Sequence, residues 1–210
     1  MSKRRIGLLI MIIGVLALAA GLSLGGYNLW DSRRAGTQAD ALLNTITLYR
    51  ETEVADRNET IEMPPELVPD TDRELQTLEI DGLQYIGTVS IPAIDVELPV
   101  QENWSLPQLK TSPCRYMGSP YRGDLIICAH NYDTHFGRLK NLQPGDQVVF
   151  TDIYGDEFHY TTMAMDTLAG TAVEEMESGE WDLTLFTCTL GGRTRVTVRC
   201  NLLETDKALP

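Results

Sequence analysis

Residues 6–30 form an apolar run without a single charged side chain, and this run constrains the fold more than any other feature. A helix of about 20 apolar residues is long enough to cross the hydrocarbon core of a bilayer. The basic sequence KRR at residues 3–5 precedes the run, and Tyr27 and Trp30 lie near its end. Basic residues on the cytoplasmic side and aromatic residues at the interface are typical of membrane helices. We therefore expect a single-pass anchor in the cell membrane, with a cytoplasmic N-terminus and the rest of the chain on the extracellular face.

A cleaved secretory signal is the alternative interpretation of this run. The small residues of ALAAG at 17–21 are similar to a cleavage site. The apolar run continues past them without a break, which favours an uncleaved anchor. Residues 1–30 are accordingly predicted to be a cytoplasmic tip followed by the transmembrane anchor.

Residues 31–74 are predicted to connect the anchor to the main domain. Their first part predicts one amphipathic helix, because apolar residues recur at helical spacing. These residues are Ala39, Leu42, Leu43, Ile46 and Tyr49. The second part, residues 51–74, is acidic, contains prolines and is poor in core residues, which indicates a flexible stalk.

The charge balance excludes one class of partner. The chain has 17 basic and 30 acidic residues and a net charge of −13. Nucleic-acid binding requires an excess of Lys and Arg to neutralise phosphates. We therefore expect no nucleic acid among the partners.

Residues 75–210 are rich in β-branched residues, which come in short runs separated by turn signals. This texture indicates an all-β barrel or sandwich. Two connecting segments, residues 103–124 and 170–181, are predicted to be loops. The predicted strands are Tyr85 to Ile91, Ile94 to Val100, 124–130, a hairpin over 147–169 that turns at 154–156, 182–188 and 195–200.

The four cysteines divide into one candidate working thiol and three others. Cys188 ends an apolar strand, which is a position where a barrel holds side chains for chemistry. Two possibilities remain for Cys114, Cys128 and Cys200. All three are small buried residues, or two of them form a single disulfide. The spacing of the cysteines leaves both possibilities open.

Two further residues complete a candidate constellation with Cys188. A thiolate nucleophile needs a group that accepts its proton, and His130 lies at the end of the strand LIICAH. Attack on an amide carbonyl creates an oxyanion, which a fixed guanidinium can stabilise. A hairpin turn at Gly191 and Gly192 would bring Arg195 back beside Cys188.

Strand alternation separates the last strand into two faces. Val196, Val198 and Cys200 would face the core. The alternative for the opposite face is that Arg193, Arg195 and Arg199 only line a solvated surface.

The order of these motifs resembles the sortase family of Gram-positive bacteria. The motifs are AHNYDTHFGRL from residue 129, LTLFTC ending at Cys188, and RVTV from Arg195. YIGTVSIPAIDVELPV, RYMGSPYRGDLIICAHN and LKNLQPGDQVVFTD are similar to other segments of that fold. The similarity extends from about Leu75 to Leu203, and the usual sortase layout also has an anchor and a short stalk.

The resemblance implies an all-β fold, an eight-stranded sortase-type barrel with short helices over residues 75–210. It implies a cysteine transpeptidase that cleaves an LPxTG-like sorting signal between Thr and Gly through a thioester. An amine of the cell wall or a pilin lysine would then accept the surface protein. By position, Cys188 is the nucleophile, His130 the acid/base and Arg195 the oxyanion or substrate-carbonyl stabiliser.

Further positions follow from the same resemblance. Asn131, Thr187 and Thr189 are candidates for substrate contact. We expect no cofactor and no metal. An acidic group near residue 175 is similar to the calcium-binding loop of some members, and a solvated acidic loop is the favoured interpretation. It consists of Glu174, Glu175 and Glu177.

Two departures from the family pattern narrow the class. The segment before residue 75 contains no Asp-Pro-aromatic lid motif, and residues 166–181 are too short for the long helix of class B. The resemblance is therefore to classes A, D or E rather than to class B or a lidded class C. Two alternatives to the transpeptidase remain: a sortase-fold cysteine peptidase acting mainly as a hydrolase, and a non-catalytic exported β-domain that binds a partner.

Overall fold

A computed structural model describes residues 3–59 and 73–203 of the chain. It consists of two units, residues 1–34 and residues 35–210. The helices and strands are, in chain order, α1 (Lys3–Glu59), β1 (Leu78–Ile80), β2 (Leu83–Ile91), β3 (Val96–Gln101), β4 (Cys114–Met117), β5 (Leu125–Ala129), β6 (Gln147–Asp152), β7 (Glu157–Ala169), α2 (Val173–Glu177), β8 (Leu183–Cys188) and β9 (Thr194–Leu202).

The first unit is helical and contains the apolar run. Within the part of the chain that the structure describes, α1 is the one helix long and apolar enough to cross a membrane. Where the structure describes the side chains of this run, they are exposed, including Leu22 and Leu24. This helix is consistent with the predicted single-pass anchor.

The second unit is a closed β-barrel of eight strands, β2 to β9, as the sequence predicts. Its strands are ordered β2-β3-β4-β5-β8-β9-β7-β6, and the pairing of β2 with β6 closes the ring. Strand β1 lies outside the ring and pairs only with β2. Most neighbours are antiparallel, but β5 and β8 are parallel, and so are β3 and β4.

Alternating side chains divide the barrel wall into an interior and an exterior face. On β8, Leu183 and Leu185 belong to the interior core, whereas Phe186 belongs to a second cluster on the outside. On β9, Val196, Val198 and Cys200 pack into the interior, as alternation predicts. The barrel wall therefore has apolar packing on both of its faces.

The second half of α1 packs against the barrel through the predicted apolar stripe. Ala39 and Ile46 are buried. Arg50 adds a polar clamp: its Nε donates to the carbonyl oxygen of Asp152 at 2.8 Å, and its Nη2 donates to that of Thr151 at 2.7 Å. Its guanidinium also donates to the hydroxyl of Thr88 at 3.2 Å. The clamp links the helix to two adjacent strands, β2 and β6.

Three segments predicted to be irregular contain regular structure. Helix α1 continues through Glu59, so the acidic stretch assigned to a flexible stalk is helical over residues 51–59. Residues 60–72 of the predicted stalk lie outside the described residues. Strand β4 lies within the segment predicted to be a loop, where it pairs with β5. Helix α2 lies within the second predicted loop.

The predicted strand boundaries need small corrections. The strand predicted at Ile94 to Val100 begins at Val96, because Pro92–Ile94 form a 3-10 turn and Asp95 has a φ of 52°. The strand predicted to end at His130 ends at Ala129. The predicted hairpin over 147–169 is present as β6 and β7.

Candidate active site

The ends of three adjacent strands bring the predicted residues to one rim of the barrel. In the parallel pair of β5 and β8, Ala129 is opposite Thr187, so His130 and Cys188 each follow a paired residue. In the antiparallel pair of β8 and β9, Cys188 is directly opposite Arg195. Adjacent strands lie about 4.8 Å apart. His130, Cys188 and Arg195 are therefore neighbours along the rim despite their separation in sequence.

Cys188 and Arg195 line a cavity on the outer face of the barrel. The cavity has a volume of about 250 Å³. Cys188 is exposed, whereas Cys128 and Phe186, which also line the cavity, are buried. Its other lining residues are Trp104, Leu106, Leu109, Tyr116, Ala129, Ala169, Gly170, Ala172, Val173 and Met176. An accessible thiol thus lies at the edge of a mainly apolar cavity.

The turn between β8 and β9 fixes the position of Arg195. Gly191 and Gly192 have φ values of 86° and 70°, which residues with a Cβ rarely adopt. The backbone N–H of Thr189 donates to the carbonyl oxygen of Thr194 at 3.0 Å and closes the hairpin. The Arg195 Nη1 donates to the carbonyl oxygen of Gly192 at 2.8 Å. The turn therefore holds the guanidinium at the wall of the cavity.

A neighbouring arginine has a structural task. Arg199 is 3% exposed, which contradicts the alternative of a wholly solvated arginine face. Its Nη1 donates to the carbonyl oxygen of Met176 at 3.0 Å, and its Nη2 donates to that of Glu175. These bonds hold α2 against the barrel wall, where Met176 lines the cavity.

The ring of Tyr132 stacks on the imidazole of His130. The ring centroid of Tyr132 lies 3.9 Å from that of His130, with an angle of 22° between the rings. The ring centroid of Tyr132 also lies 5.5 Å from that of His135, with an angle of 59° between the rings. A Cβ on residue 137 would lie 2.6 Å from the carbonyl oxygen of Asn131, so Gly137 permits the tight return of this loop. The loop thereby packs an aromatic ring directly on the imidazole.

His135 is fully buried, and neither of its ring nitrogens has a hydrogen-bond partner among the described residues. Burial lowers its pKa to about 4, and the neighbouring His130 acts in the same direction. His135 is therefore neutral at neutral pH.

The three predicted substrate-contact residues differ in their surroundings. Thr187 is 3% exposed, and its hydroxyl donates to the carbonyl oxygen of Ala129 at 2.9 Å, which ties β8 to β5. The hydroxyl of Thr189 lies 2.8 Å from that of Thr194 within the hairpin turn. Asn131 is half-buried next to His130. The contacts of both threonines are structural, whereas Asn131 directly follows His130 in the sequence.

The family model of the sortase domain matches residues 89–203, which is more than half of the chain. The chain belongs to the sortase family. Sortases are cysteine transpeptidases that act on surface proteins with sorting signals. The family resemblance predicted from the sequence is confirmed.

Two curated sortases are similar to this chain over most of its length. Sortase D of Bacillus subtilis is 25% identical over 182 residues, which cover 84% of this chain and 88% of that protein. Sortase A of Bacillus anthracis is 24% identical over 201 residues, which cover 90% of this chain and 89% of that protein.

A solved sortase structure has the same fold. The Sortase D5 transpeptidase of Clostridium perfringens is 18% identical, with a TM-score of 0.54. The match covers 80% of this chain and 96% of that one. Similar structures include sortases of several classes, so this likeness supports the sortase fold rather than a single class.

Sequence reasoning about this sortase missed the wall of the cavity and the stack on His130. Trp104, Tyr116 and Met176 come from segments predicted to be loops. Large apolar side chains within otherwise polar segments were the sequence signal that could have indicated a cavity wall. Tyr132 follows His130 by two residues, and an aromatic residue so close to a candidate base was a second signal.

The acidic group near residue 175 lies on α2, a helix of five residues. The short helix agrees with the prediction that the long class B helix is absent from this segment. The carboxylate of Glu177 accepts a hydrogen bond from the hydroxyl of Tyr116 at 3.1 Å. Glu174, Glu175 and Glu177 belong to no cluster of three metal-binding side chains among the described residues.

We predict that His135 makes the sortase less stable in acid. The unfolded chain binds a proton at this residue below its ordinary pKa of about 6.5, whereas the folded chain does so only near pH 4. Above the unfolded pKa this difference in proton binding has no effect on stability. As the pH falls below it, the unfolded chain is stabilised by protonation and the folded chain is not. The free energy of unfolding should therefore decrease by about 2 kcal/mol between about pH 7 and about pH 5.

Urea unfolding of the full-length chain in detergent, followed by tryptophan fluorescence, measures this loss. The part due to His135 should disappear in His135→Phe and in His135→Leu, which bury no titratable ring. It should persist in His159→Phe, since the His159 side chain is 39% exposed. An unchanged pH dependence in both His135 variants would show that the effect comes from other groups.

Proposed function

We propose that this chain is a membrane-anchored sortase that cleaves an LPxTG-like sorting signal between Thr and Gly. Residues 1–30 provide the cytoplasmic tip and anchor, residues 31–74 connect it, and residues 75–210 form the catalytic domain on the extracellular face. Cys188 attacks the Thr carbonyl and holds the acyl group as a thioester. An amine of the cell wall, or a pilin lysine, then accepts the surface protein.

One observation carries the proposal: the register that makes Cys188 the neighbour of both His130 and Arg195 at the mouth of an apolar cavity. A thiol with an adjacent imidazole can act as an activated nucleophile, and a guanidinium can stabilise the oxyanion that its attack creates. The thiol is also exposed, so a substrate can reach it. The other three cysteines are buried and have no such access.

In the proposed reaction, His130 transfers protons and Arg195 stabilises negative charge. His130 accepts the thiol proton when Cys188 attacks, and it donates a proton to the departing Gly amine. Microscopic reversal then lets the same imidazole take a proton from the incoming amine. Arg195 donates to the oxygen that becomes negative in the tetrahedral intermediate, and its charge persists through every step.

Tyr132 is a positioning residue in the proposed mechanism. Its ring stacks on His130 at 3.9 Å and limits the orientations of the imidazole. An aromatic face also favours a cation above it, so the stack favours the imidazolium that forms after proton transfer.

The cavity provides a site for the apolar part of the sorting signal. Trp104, Leu106 and Val173 are exposed apolar residues in its lining, and contact with a Leu or Pro side chain would remove their surface from water. Cys188 lies at the same cavity, so a peptide held there presents its scissile carbonyl to the sulfur.

Replacement of the nucleophile gives the first test. Cys188→Ala should reduce turnover of a fluorogenic LPxTG-type peptide by at least about a thousandfold, because no other exposed thiol replaces it. Cys200→Ala is the matched control: this cysteine packs inside the barrel and should be replaceable within about twofold of the wild-type rate. Product formation by a folded Cys188→Ala chain at the control rate would refute the assignment.

The choice between transfer and hydrolysis gives the second test. The exposure of Cys188 allows water as well as an amine to reach the thioester. We expect that an oligoglycine amine or a lysine side-chain amine diverts the acyl group into an amide, seen by mass spectrometry of the peptide products. If every amine tried leaves only the hydrolysed acid, the protein is a sortase-fold hydrolase instead.

A further inference from the structure

Cys114 and Cys128 lie directly opposite each other in the antiparallel pair of β4 and β5. They are 0% and 3% exposed, and both belong to the outer cluster, so their side chains share one face of the sheet. Opposed residues of antiparallel strands have Cα atoms about 4.5–5.5 Å apart. Disulfides span Cα distances of about 4.4–6.8 Å. Both thiols are free in this structure, and the backbone spacing allows one covalent bond between them with little movement of the strands.

This pair of cysteines lies next to the part of the barrel where two adjacent strands, β3 and β4, share few backbone pairs. Among the described residues, the register of β3 and β4 consists of a single pair, Gln101 with Cys114. Cys114 is thus the residue at which β4 meets both of its neighbours. A bond from Cys114 to Cys128 would fasten β4 to β5 at the point where the ring has the fewest backbone pairs.

We propose that Cys114 and Cys128 form a disulfide when the chain folds in an oxidising environment, and that this bond fastens the cavity wall beside Cys188. This proposal rests on the proposed function in one respect only: an extracellular location would provide the oxidising environment. A small-molecule disulfide is the oxidant: the two thiols lose two protons and two electrons to form the S–S bond, and the oxidant becomes two thiols.

The other cysteines are poorly placed for this bond. Cys200 lies in the interior core, on the opposite side of the barrel wall from Cys128. Cys128 is opposite Phe186 rather than Cys188, which lies two residues further along β8. Once Cys128 is bonded to Cys114 it has no free thiol. Cys188, which lines the same cavity, then cannot form a disulfide with it.

The bond should form during folding rather than afterwards. Burial raises the pKa of Cys114 to about 12 and also raises that of Cys128. Since the thiolate is the reactive species, both cysteines are unreactive once the folded chain has buried them. A chain that folds with reduced thiols therefore keeps them reduced.

The test uses the full-length chain in detergent with Cys188→Ala, which removes the exposed thiol. The chain is refolded in a mixture of oxidised and reduced glutathione, its free thiols are alkylated under denaturing conditions, and its peptides are mapped by mass spectrometry. We expect one linkage, between the peptides of Cys114 and Cys128, with Cys200 alkylated. Cys114→Ala and Cys128→Ala should abolish the linkage, and Cys200→Ala should preserve it.

Thermal unfolding of the same Cys188→Ala chain gives a second measurement, which compares its oxidised and reduced forms. Closing a loop of about 15 residues should raise the Tm of the oxidised chain by about 6–12 °C over the reduced chain. A refolded chain with native circular dichroism and no Cys114–Cys128 linkage would overturn the proposal, as would a linkage to Cys200 or an equal Tm. Because the chain tested has no Cys188 thiol, these results are independent of whether the proposed transpeptidase reaction is correct.

Discussion

The parallel pairing of β5 with β8 is the contact on which the candidate site depends. Parallel strands end at the same edge of a sheet, so the residues that follow Ala129 and Thr187 lie side by side. The hydroxyl of Thr187 reinforces this register with its bond to the carbonyl oxygen of Ala129. A slip of one residue would turn every side chain of β8 to the other face and would move the Cys188 sulfur into the barrel.

The two apolar clusters explain why this register is rigid. Interior residues such as Ile127 and Leu185 fill the barrel, while Ile126 and Phe186 fill the outer cluster beneath the cavity. Both faces of the β5–β8 pair are thus buried, and a shift in either strand would expose apolar surface on both sides. Arg199 completes the outer layer by holding α2 in place. The same packing that stabilises the barrel therefore positions the candidate chemistry.

Much of this arrangement is predictable from the sequence, because strong local patterns specify it. Alternation in RVTVRC predicts which residues face the core, and the two glycines before Arg195 predict the hairpin that returns it to Cys188. The family resemblance predicts the closed barrel that brings β5 to β8, and the structure confirms it. Periodicity alone predicts neither this pairing nor its parallel direction.

The features that escaped prediction have weak local signals. Strand β4 has four residues and one backbone pair with β3, so its existence depends on tertiary contacts. Helix α2 has five residues and depends on Arg199 of a distant strand. The acidic residues 51–59 are helical although their composition suggests a stalk. In each case, contacts between distant segments or continuation of a neighbouring helix outweigh local composition.

Direct observation of the acyl-enzyme tests the central claim most sharply. The full-length chain is mixed with an LPxTG-type peptide, quenched in acid and measured by intact-mass spectrometry with peptide mapping. The account predicts one adduct, attached to Cys188, that carries the peptide through its Thr residue and is released by an added amine. An adduct on another residue, or turnover with no adduct on Cys188 under conditions that preserve thioesters, would contradict it.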